Sequence, residues 1–211
     1  NEYILFATKK GLVKRTPLEA FSRPRSNGII AINIRENDEL LIAKLTSDKS
    51  EVVMANKNGR AIRFDVGDVR SMGRTAAGVR GMSLDDDTDE VIGMVVFEEN
   101  DDDFHLLVVS EKGMGKRSLK QEYRKTKRGG KGVKTLQIST KTGQLIALKA
   151  VRDDFDLMIT SLNGIVIRMP VSDMRVMGRA TQGVRLINLQ KDDEIADVAV
   201  VRNEDNADEE E

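Results

Sequence analysis

Residues 124–132, RKTKRGGKG, place five cationic side chains and three glycines within nine positions. An arginine can hold two phosphate oxygens at once, and a lysine presents a mobile point charge. Glycines leave the backbone open, so N–H groups at Gly129, Gly130 and Gly132 can approach an anion closely. The segment therefore predicts a phosphate-binding surface. Its cations are Arg124, Lys125, Lys127, Arg128 and Lys131.

Cations also recur at fixed distances from a glycine that repeats along the chain, Gly28, Gly78, Gly132 and Gly183. The position eight residues before it holds Arg70, Arg124 and Arg175. The position four residues before it holds Arg74, Arg128 and Arg179, and the position two residues after it holds Arg80, Lys134 and Arg185. We expect these side chains to form a curved cationic track suited to the regular phosphates of a nucleic acid duplex. Copying of a solvated loop by internal duplication is the alternative.

The first repeat departs from this pattern, since it has Ile30 two residues after Gly28. Arg23 and Arg25 lie near its middle cation position. Basic residues of the second strand of each repeat are expected to add to the surface. They are Lys14, Arg15, Arg60, Arg63, Lys116, Arg117 and Arg168.

A second glycine landmark gives the same period of about fifty residues. Gly11, Gly59, Gly113 and Gly164 are spaced by 48, 54 and 51 residues, each after an apolar run and a polar turn. Each repeat contains four short apolar stretches, which is typical of a β-propeller blade. The sequence therefore predicts an all-β fold of four four-stranded blades, at about 1–47, 48–103, 104–153 and 154–203. A chain of unrelated hairpins is the alternative.

Charge is divided unevenly along the chain. Residues 104–153 carry 13 basic and 3 acidic groups, residues 48–103 carry 7 and 14, and the tail 204–211 carries six acids. We expect this tail to be disordered and to compete with nucleic acid for the cationic surface. Aromatic residues are 4% of the chain and no recognition helix is predicted, so duplex binding without sequence preference is favoured over stacking on single strands.

Composition argues against several other functions. The chain has no Cys, which excludes disulfides, zinc–thiolate sites and catalytic thiols. No apolar run reaches the roughly 18 residues of a membrane span. No set of residues suggests a catalytic centre, a metal site or a cofactor site. Tyr123 occupies the place of Val69 and Met174 in sister repeats, so we expect it to pack in the core.

The stretches MGRTAAGVRGM, MGRATQGVRLINL and KRGGKGV resemble the C-terminal domain of DNA gyrase A over residues 1–203. The resemblance implies a propeller-like β-pinwheel of six blades in which neighbours exchange a strand, with this chain supplying the last four. The family's box, Gln-Arg/Lys-Arg-Gly-Gly-Arg/Lys-Gly, lies in its first blade. Residues 126–132 match six of its seven positions, with Thr126 in place of Gln, and so are interpreted as a sister of the box.

The resemblance also implies a function and partners. The domain would wrap duplex DNA and present a crossover for ATP-dependent negative supercoiling, together with the rest of gyrase A and with gyrase B in an A2B2 enzyme. ATP and Mg²⁺ would act elsewhere in that enzyme, and the cleavage tyrosine would lie in an upstream domain. The expected location is the bacterial cytoplasm, at the nucleoid and without membrane contact. The equivalent domain of topoisomerase IV and a propeller scaffold for protein partners are the alternatives.

Overall fold

The computed structural model describes residues 1–202, so the acidic tail 204–211 lies outside the described residues. Contacts divide the described chain into two compact units, 1–101 with 123–134 and 102–122 with 135–202. Within residues 1–202 there is no α-helix, and no helix with the length and apolarity to cross a membrane. The prediction of a single domain over 1–203 stays a prediction.

Fifteen strands and four short 3-10 turns make up the described residues. Up to residue 101 they are β1 (Glu2–Thr8), β2 (Leu12–Pro17), η1 (Leu18–Phe21), β3 (Leu40–Ser47), β4 (Ser50–Asn56), β5 (Arg60–Asp65), η2 (Val66–Asp68), β6 (Val79–Arg80) and β7 (Val91–Glu98). From residue 102 they are β8 (His105–Ser110), β9 (Met114–Leu119), η3 (Lys120–Glu122), β10 (Val133–Lys134), β11 (Leu145–Val151), β12 (Phe155–Ser161), β13 (Val166–Pro170), η4 (Val171–Asp173), β14 (Val184–Arg185) and β15 (Ile195–Arg202).

The strands form four antiparallel sheets, which confirms the predicted all-β blade fold. The first unit contains the sheets β3-β1-β2-β6 and β10-β5-β4-β7, and the second contains β11-β8-β9-β14 and β13-β12-β15. Three sheets have the predicted four strands, whereas the last has three. The reason is strand exchange: β6, β10 and β14 each come from the repeat after the one whose sheet they complete. The described residues contain no further repeat that could complete the last sheet.

Strand exchange explains why a glycine precedes each donated strand. Gly132 has φ +77°, and a Cβ there would lie 2.2 Å from the carbonyl oxygen of Ala61. Gly78 has φ +99°, and its Cβ would lie 2.5 Å from the carbonyl oxygen of Val13. Gly183 repeats this arrangement. Because no side chain fits at these distances, the landmark read from the sequence marks the point where a donated strand docks.

Each unit has its own apolar core. Central strands supply much of it: β4 is buried along its whole length, and Leu107 and Val109 of β8 are fully buried. Val69, Tyr123 and Met174 precede the loops that follow η2, η3 and η4, and they are 0%, 1% and 3% exposed. The prediction that Tyr123 packs in the core is confirmed. These buried side chains fix the start of each cationic loop.

Candidate nucleic-acid interface

Three arginines at the first repeated position are exposed and available. Arg70, Arg124 and Arg175 follow η2, η3 and η4, and no acceptor within residues 1–202 binds their guanidinium groups. Each lies between the buried residue that precedes it and a backbone bridge to the second strand of a sheet, such as the bridge from Lys125 to Arg63. Fixing the backbone on both sides lowers the entropy that the arginine loses when it binds an anion.

The donated strands carry a second group of exposed cations. Arg80 ends β6 opposite Leu12, and Arg185 ends β14 opposite Met114. Lys134 takes the equivalent place in β10 and is also exposed. The guanidinium groups of Arg80 and Arg185 have no hydrogen-bonding or ionic partner among the described residues. Strand pairing therefore sets the position of these charges along the sheet edge.

The arginines four residues before the repeated glycine, Arg74, Arg128 and Arg179, donate hydrogen bonds to backbone carbonyls. The Nε of Arg128 donates to the carbonyl oxygen of Asp68 at 3.0 Å, and its Nη1 donates to that of Arg80 at 2.9 Å. Arg74 donates through Nη1 to the carbonyl oxygen of Ile30 at 2.9 Å, and Arg179 donates through Nε to that of Glu122 at 3.0 Å. All three are half-buried. These guanidinium groups give only part of their hydrogen-bonding capacity to any ligand, since the loop itself uses the rest.

Several predicted cations of the second strands are buried, and the prediction that they line an exposed surface is wrong for them. Lys14 and Lys116 are 0% exposed, and Arg15 and Arg117 are 9% and 6% exposed. Burial lowers the pKa of both lysines to about 8. The two arginines pair with Asp48 and Asp153.

Arg63 is also unavailable to an anion, because its Nε donates to the buried carboxylate of Glu51 at 2.5 Å. Its Nη1 donates to the carbonyl oxygen of Tyr123 at 3.2 Å, so Arg63 fixes the start of the loop 123–134. Arg60 is half-buried, whereas Arg23 and Arg25 are exposed in the segment 22–39, which forms no strand. Arg23 and Arg25 thus have no sheet to orient them.

Carboxylates hold the lysines of the segment 124–132. Lys125 lies 3.0 Å from Asp65, 3.3 Å from Glu51 and 3.5 Å from Glu99. The hydrogen bond to Asp65 is the largest cause of a raised pKa at Lys125. Because three carboxylates surround it, Lys125 contributes little net positive charge to this surface.

The other two lysines of the segment form single pairs. Lys127 lies 2.8 Å from Asp68 and Lys131 lies 3.4 Å from Asp85, and their side chains are 87% and 62% exposed. A hydrogen bond to Asp68 also raises the pKa of Lys127. Exposed pairs of this kind are weak, so a phosphate can replace the carboxylate.

The two adjacent glycines of this segment have different roles. Gly129 has φ +87°, its N–H donates to the carbonyl oxygen of Gly81 at 2.7 Å, and its own carbonyl accepts from Ser83 Oγ at 2.7 Å. Gly130 is exposed, has no positive φ, and the described residues offer its N–H no acceptor. Of this pair, Gly130 therefore keeps a backbone donor for an external anion.

A cleft of about 240 Å³ adjoins these groups in the first unit. Arg124, Lys127 and Lys131 line it together with Gly130 and Ile62. Exposed cations, a free backbone N–H and a concave surface therefore occur together at this loop. The combination suits a phosphate group of a polyanion.

Sequence reasoning missed the carboxylates that hold the loop, chiefly Glu51, Asp65 and Asp68. The signal was present in the excess of acids in residues 48–103 and of bases in 104–153. It also missed the inward orientation of Lys14 and Lys116. Their counterparts three residues after the turn glycine are Ile62 and Ile167, which marks the column as apolar.

The sequence matches the family described as DNA gyrase C-terminal domain, beta-propeller, over residues 2–47, 50–98, 105–152 and 156–202. DNA gyrase A of Staphylococcus epidermidis is 42% identical over 205 residues, covering 97% of this chain and 23% of that protein. DNA gyrase A of Staphylococcus aureus is 43% identical over 212 residues, covering 99% and 24%. The chain thus spans about a quarter of the length of these relatives.

Solved structures with the same fold include a DNA gyrase A C-terminal domain, with a TM-score of 0.81 and 26% identity over 95% of this chain and 66% of that one. The C-terminal domain of a DNA topoisomerase IV has a TM-score of 0.88 and 24% identity over 96% of this chain and 62% of that one. At that identity the second likeness shows the fold alone.

Proposed function

Because this chain belongs to the DNA gyrase C-terminal domain family, we propose that it binds duplex DNA without sequence preference and bends it over its cationic loops. The observation that carries the proposal is the recurrence of exposed arginines, unpaired among the described residues, at fixed backbone positions: Arg70, Arg124 and Arg175. Within the first unit, Arg70 and Arg124 place two such charges one structural repeat apart, which suits a polymer with regularly spaced phosphates. Bending a site of 20–30 bp costs on the order of 1–6 kcal/mol, which several phosphate contacts offset.

We further propose that the chain acts as part of a gyrase A protein, with the remainder of that protein and with gyrase B as partners in an A2B2 enzyme. In that enzyme the bent DNA would be presented for ATP-dependent negative supercoiling, with ATP and Mg²⁺ used by other domains. The enzyme would work in the bacterial cytoplasm, at the nucleoid. Identity of 42–43% to DNA gyrase A proteins supports gyrase over topoisomerase IV.

The proposal is tested by measuring how the Kd for a linear duplex varies with salt. Replacing Arg70, Arg80 and Arg124 together by alanine is expected to lower the slope of log K against log salt by about 2.7, or 0.9 for each lost contact. The matched control replaces the same three residues by lysine, which keeps the charge and is expected to keep most of the slope. An alanine variant with the wild-type slope would overturn the proposal.

Bending needs a separate measurement, because electrostatic capture alone does not require it. Sealing a nicked circle with ligase in the presence of the protein, and then measuring the linking number of the closed product, reports trapped writhe. We expect a shift for the wild-type chain and a smaller shift for the triple alanine variant. Binding without any shift would reduce the proposal to capture. A propeller scaffold for protein partners would instead show only weak affinity for DNA, without sequence preference.

A further inference from the structure

Two loops of nearly the same sequence each have a buried lysine below them. Residues 72–78 read MGRTAAG and residues 177–183 read MGRATQG. Lys14 of β2 serves the first loop in the first unit, and Lys116 of β9 serves the second loop in the second unit. The equivalent positions in the other two repeats hold Ile62 and Ile167. The lysines therefore occur at a column whose other members are apolar.

Lys116 is fully buried, and its ammonium group binds only atoms of the loop 177–183 among those described. Nζ donates to the carbonyl oxygen of Gly178 at 2.8 Å, to that of Thr181 at 3.1 Å and to Thr181 Oγ1 at 3.2 Å. It also donates to the carbonyl oxygen of Arg179. One ammonium group thus binds three carbonyl oxygens within residues 178–181 and fixes the backbone of the loop at these positions.

Lys14 makes the same kind of contact in the first unit. Its Nζ donates to the carbonyl oxygen of Arg74 and to that of Ala31, and it lies 5.2 Å from the centroid of the Phe6 ring. Ala31 belongs to the segment of the first repeat that carries Ile30, whose carbonyl oxygen in turn binds Arg74. Lys14 therefore connects the loop 72–78 to the segment around Ala31 by binding one carbonyl oxygen of each.

Within residues 1–202 no carboxylate forms an ion pair with Lys14 or Lys116, and the charge of Glu122 acts on Lys116 without direct contact. Carbonyl dipoles compensate the loss of hydration only in part, so a buried ammonium without a counterion destabilises the fold. An isoleucine at this column avoids that cost, as Ile62 and Ile167 do. A gain elsewhere must offset it, and the contacts point to the arginine loops.

We propose that Lys14 and Lys116 are positioning residues for DNA binding, each holding the backbone of one arginine loop in the conformation that meets a phosphate. This inference rests on the proposed function. Lys14 would order the loop 72–78, which carries Arg74 and follows Arg70, and Lys116 would order the loop 177–183, which carries Arg179 and follows Arg175. Their charges would also add to the positive potential beneath each loop. Neither lysine would touch the DNA.

The test uses the full 211-residue chain with Lys14→Met and Lys116→Met, singly and together. Methionine keeps the length of the side chain and removes its donors. Each substitution is expected to raise the Kd for a linear duplex about eightfold at 0.1 M salt and to lower the salt slope by about 0.9, the equivalent of one lost phosphate contact per loop. Backbone hydrogen exchange should increase within 72–78 or 177–183.

The matched control is Ile62→Met, which occupies the same column below the loop 124–132 and supplies no donor. It is expected to leave the salt slope and loop exchange unchanged. Lys14→Ile and Lys116→Ile replace the methionine variants if those fail to fold, since isoleucine is the residue of the sister repeats. Wild-type slope and loop exchange in folded Lys14 and Lys116 variants would overturn this inference. A wild-type chain without salt-dependent binding would instead overturn the proposed function.

The pH dependence of DNA affinity distinguishes a positioning lysine from a purely structural one, because only a positioning lysine would change that affinity when it loses its proton. Burial is the largest cause of the lowered pKa of about 8 at both lysines; Arg74 lowers the pKa of Lys14 further, Glu122 raises that of Lys116 and Arg179 lowers it. Each ammonium loses its proton as the pH rises through 8, and with it part of its hold on the loop carbonyls. DNA affinity of the wild-type chain should fall between pH 7 and pH 9 by more than that of the double isoleucine variant. Equal pH profiles would contradict the inference.

Discussion

The equivalent segments 124–132 and 175–183 both begin with an exposed arginine, but they are supported differently. The first has five cations, and its lysines are paired with carboxylates that include Glu51, Asp65 and Asp68. Its backbone is held by Gly81 and Ser83. The second has two arginines, and it is held by the buried ammonium of Lys116, with no carboxylate pair at that lysine among the described residues.

The difference teaches that the number of cations in a loop does not measure its capacity to bind an anion. Acids of the 48–103 repeat neutralise much of the segment 124–132, whereas the charge at Lys116 stays unpaired by any described acid. The two loops still display one exposed arginine at the same offset, Arg124 and Arg175. That exposed arginine is the feature that the two segments share.

The largest expected effect would break the backbone support of the loop 124–132. Gly132→Ala places a Cβ 2.2 Å from the carbonyl oxygen of Ala61 at φ +77°, so it is expected to lower the free energy of unfolding by about 3 kcal/mol or more. Gly130→Ala meets only Ile62 at 3.6 Å and is expected to stay within about 0.5 kcal/mol. Chemical denaturation measures both, and equal losses would contradict this assignment of the glycines.

The second expected effect is a change with pH in the free energy of unfolding, caused by the buried Lys14 and Lys116. Lys14 and Lys116 have a pKa of about 8 in the folded chain against 10.5 when unfolded, so the unfolded chain binds more protons between these values. The stability of the wild type relative to the Lys14→Ile, Lys116→Ile variant should therefore rise from pH 8 to pH 10.5, by roughly 2 kcal/mol or more. Denaturation at a series of pH values checks this. A relative stability that stays constant or falls over this window would show that folding does not lower the pKa of the two lysines.

The smallest expected effect compares neighbours within the loop 124–132. Lys125→Met leaves the buried carboxylate of Glu51 with fewer partners, so we expect a loss of about 1 kcal/mol in stability and little change in salt slope. Arg124→Met should do the reverse, with unchanged stability and a slope lower by about 0.9. Thermal unfolding and salt-dependent binding of the two variants separate these roles. If the two variants gave the same pair of changes, the distinction between paired and free cations would be wrong.

The fold was largely predictable because its landmarks are local. Glycines at a constant period and apolar stretches between turns predicted the all-β blades, and the column shared by Val69, Tyr123 and Met174 predicted core packing. The state of each cation was less predictable, since Lys125 meets Glu51 only through tertiary contact. Ile62 and Ile167 occupy the position equivalent to Lys116 in other repeats, which indicates a side chain that faces inward. The charge of Lys116 favours an exposed position, and it outweighed this indication in the prediction.

Strand donation also separates the unit of gene duplication from the unit of folding. A cut between residues 153 and 154 follows the sequence repeat, yet it removes β14 from β9 and leaves the third sheet with an open edge. A breakpoint after Arg185 keeps that sheet whole, but it separates β12 from β15, which pair over seven residues in the last sheet. Because successive sheets overlap along the chain, a breakpoint on either side of a donated strand divides one of them.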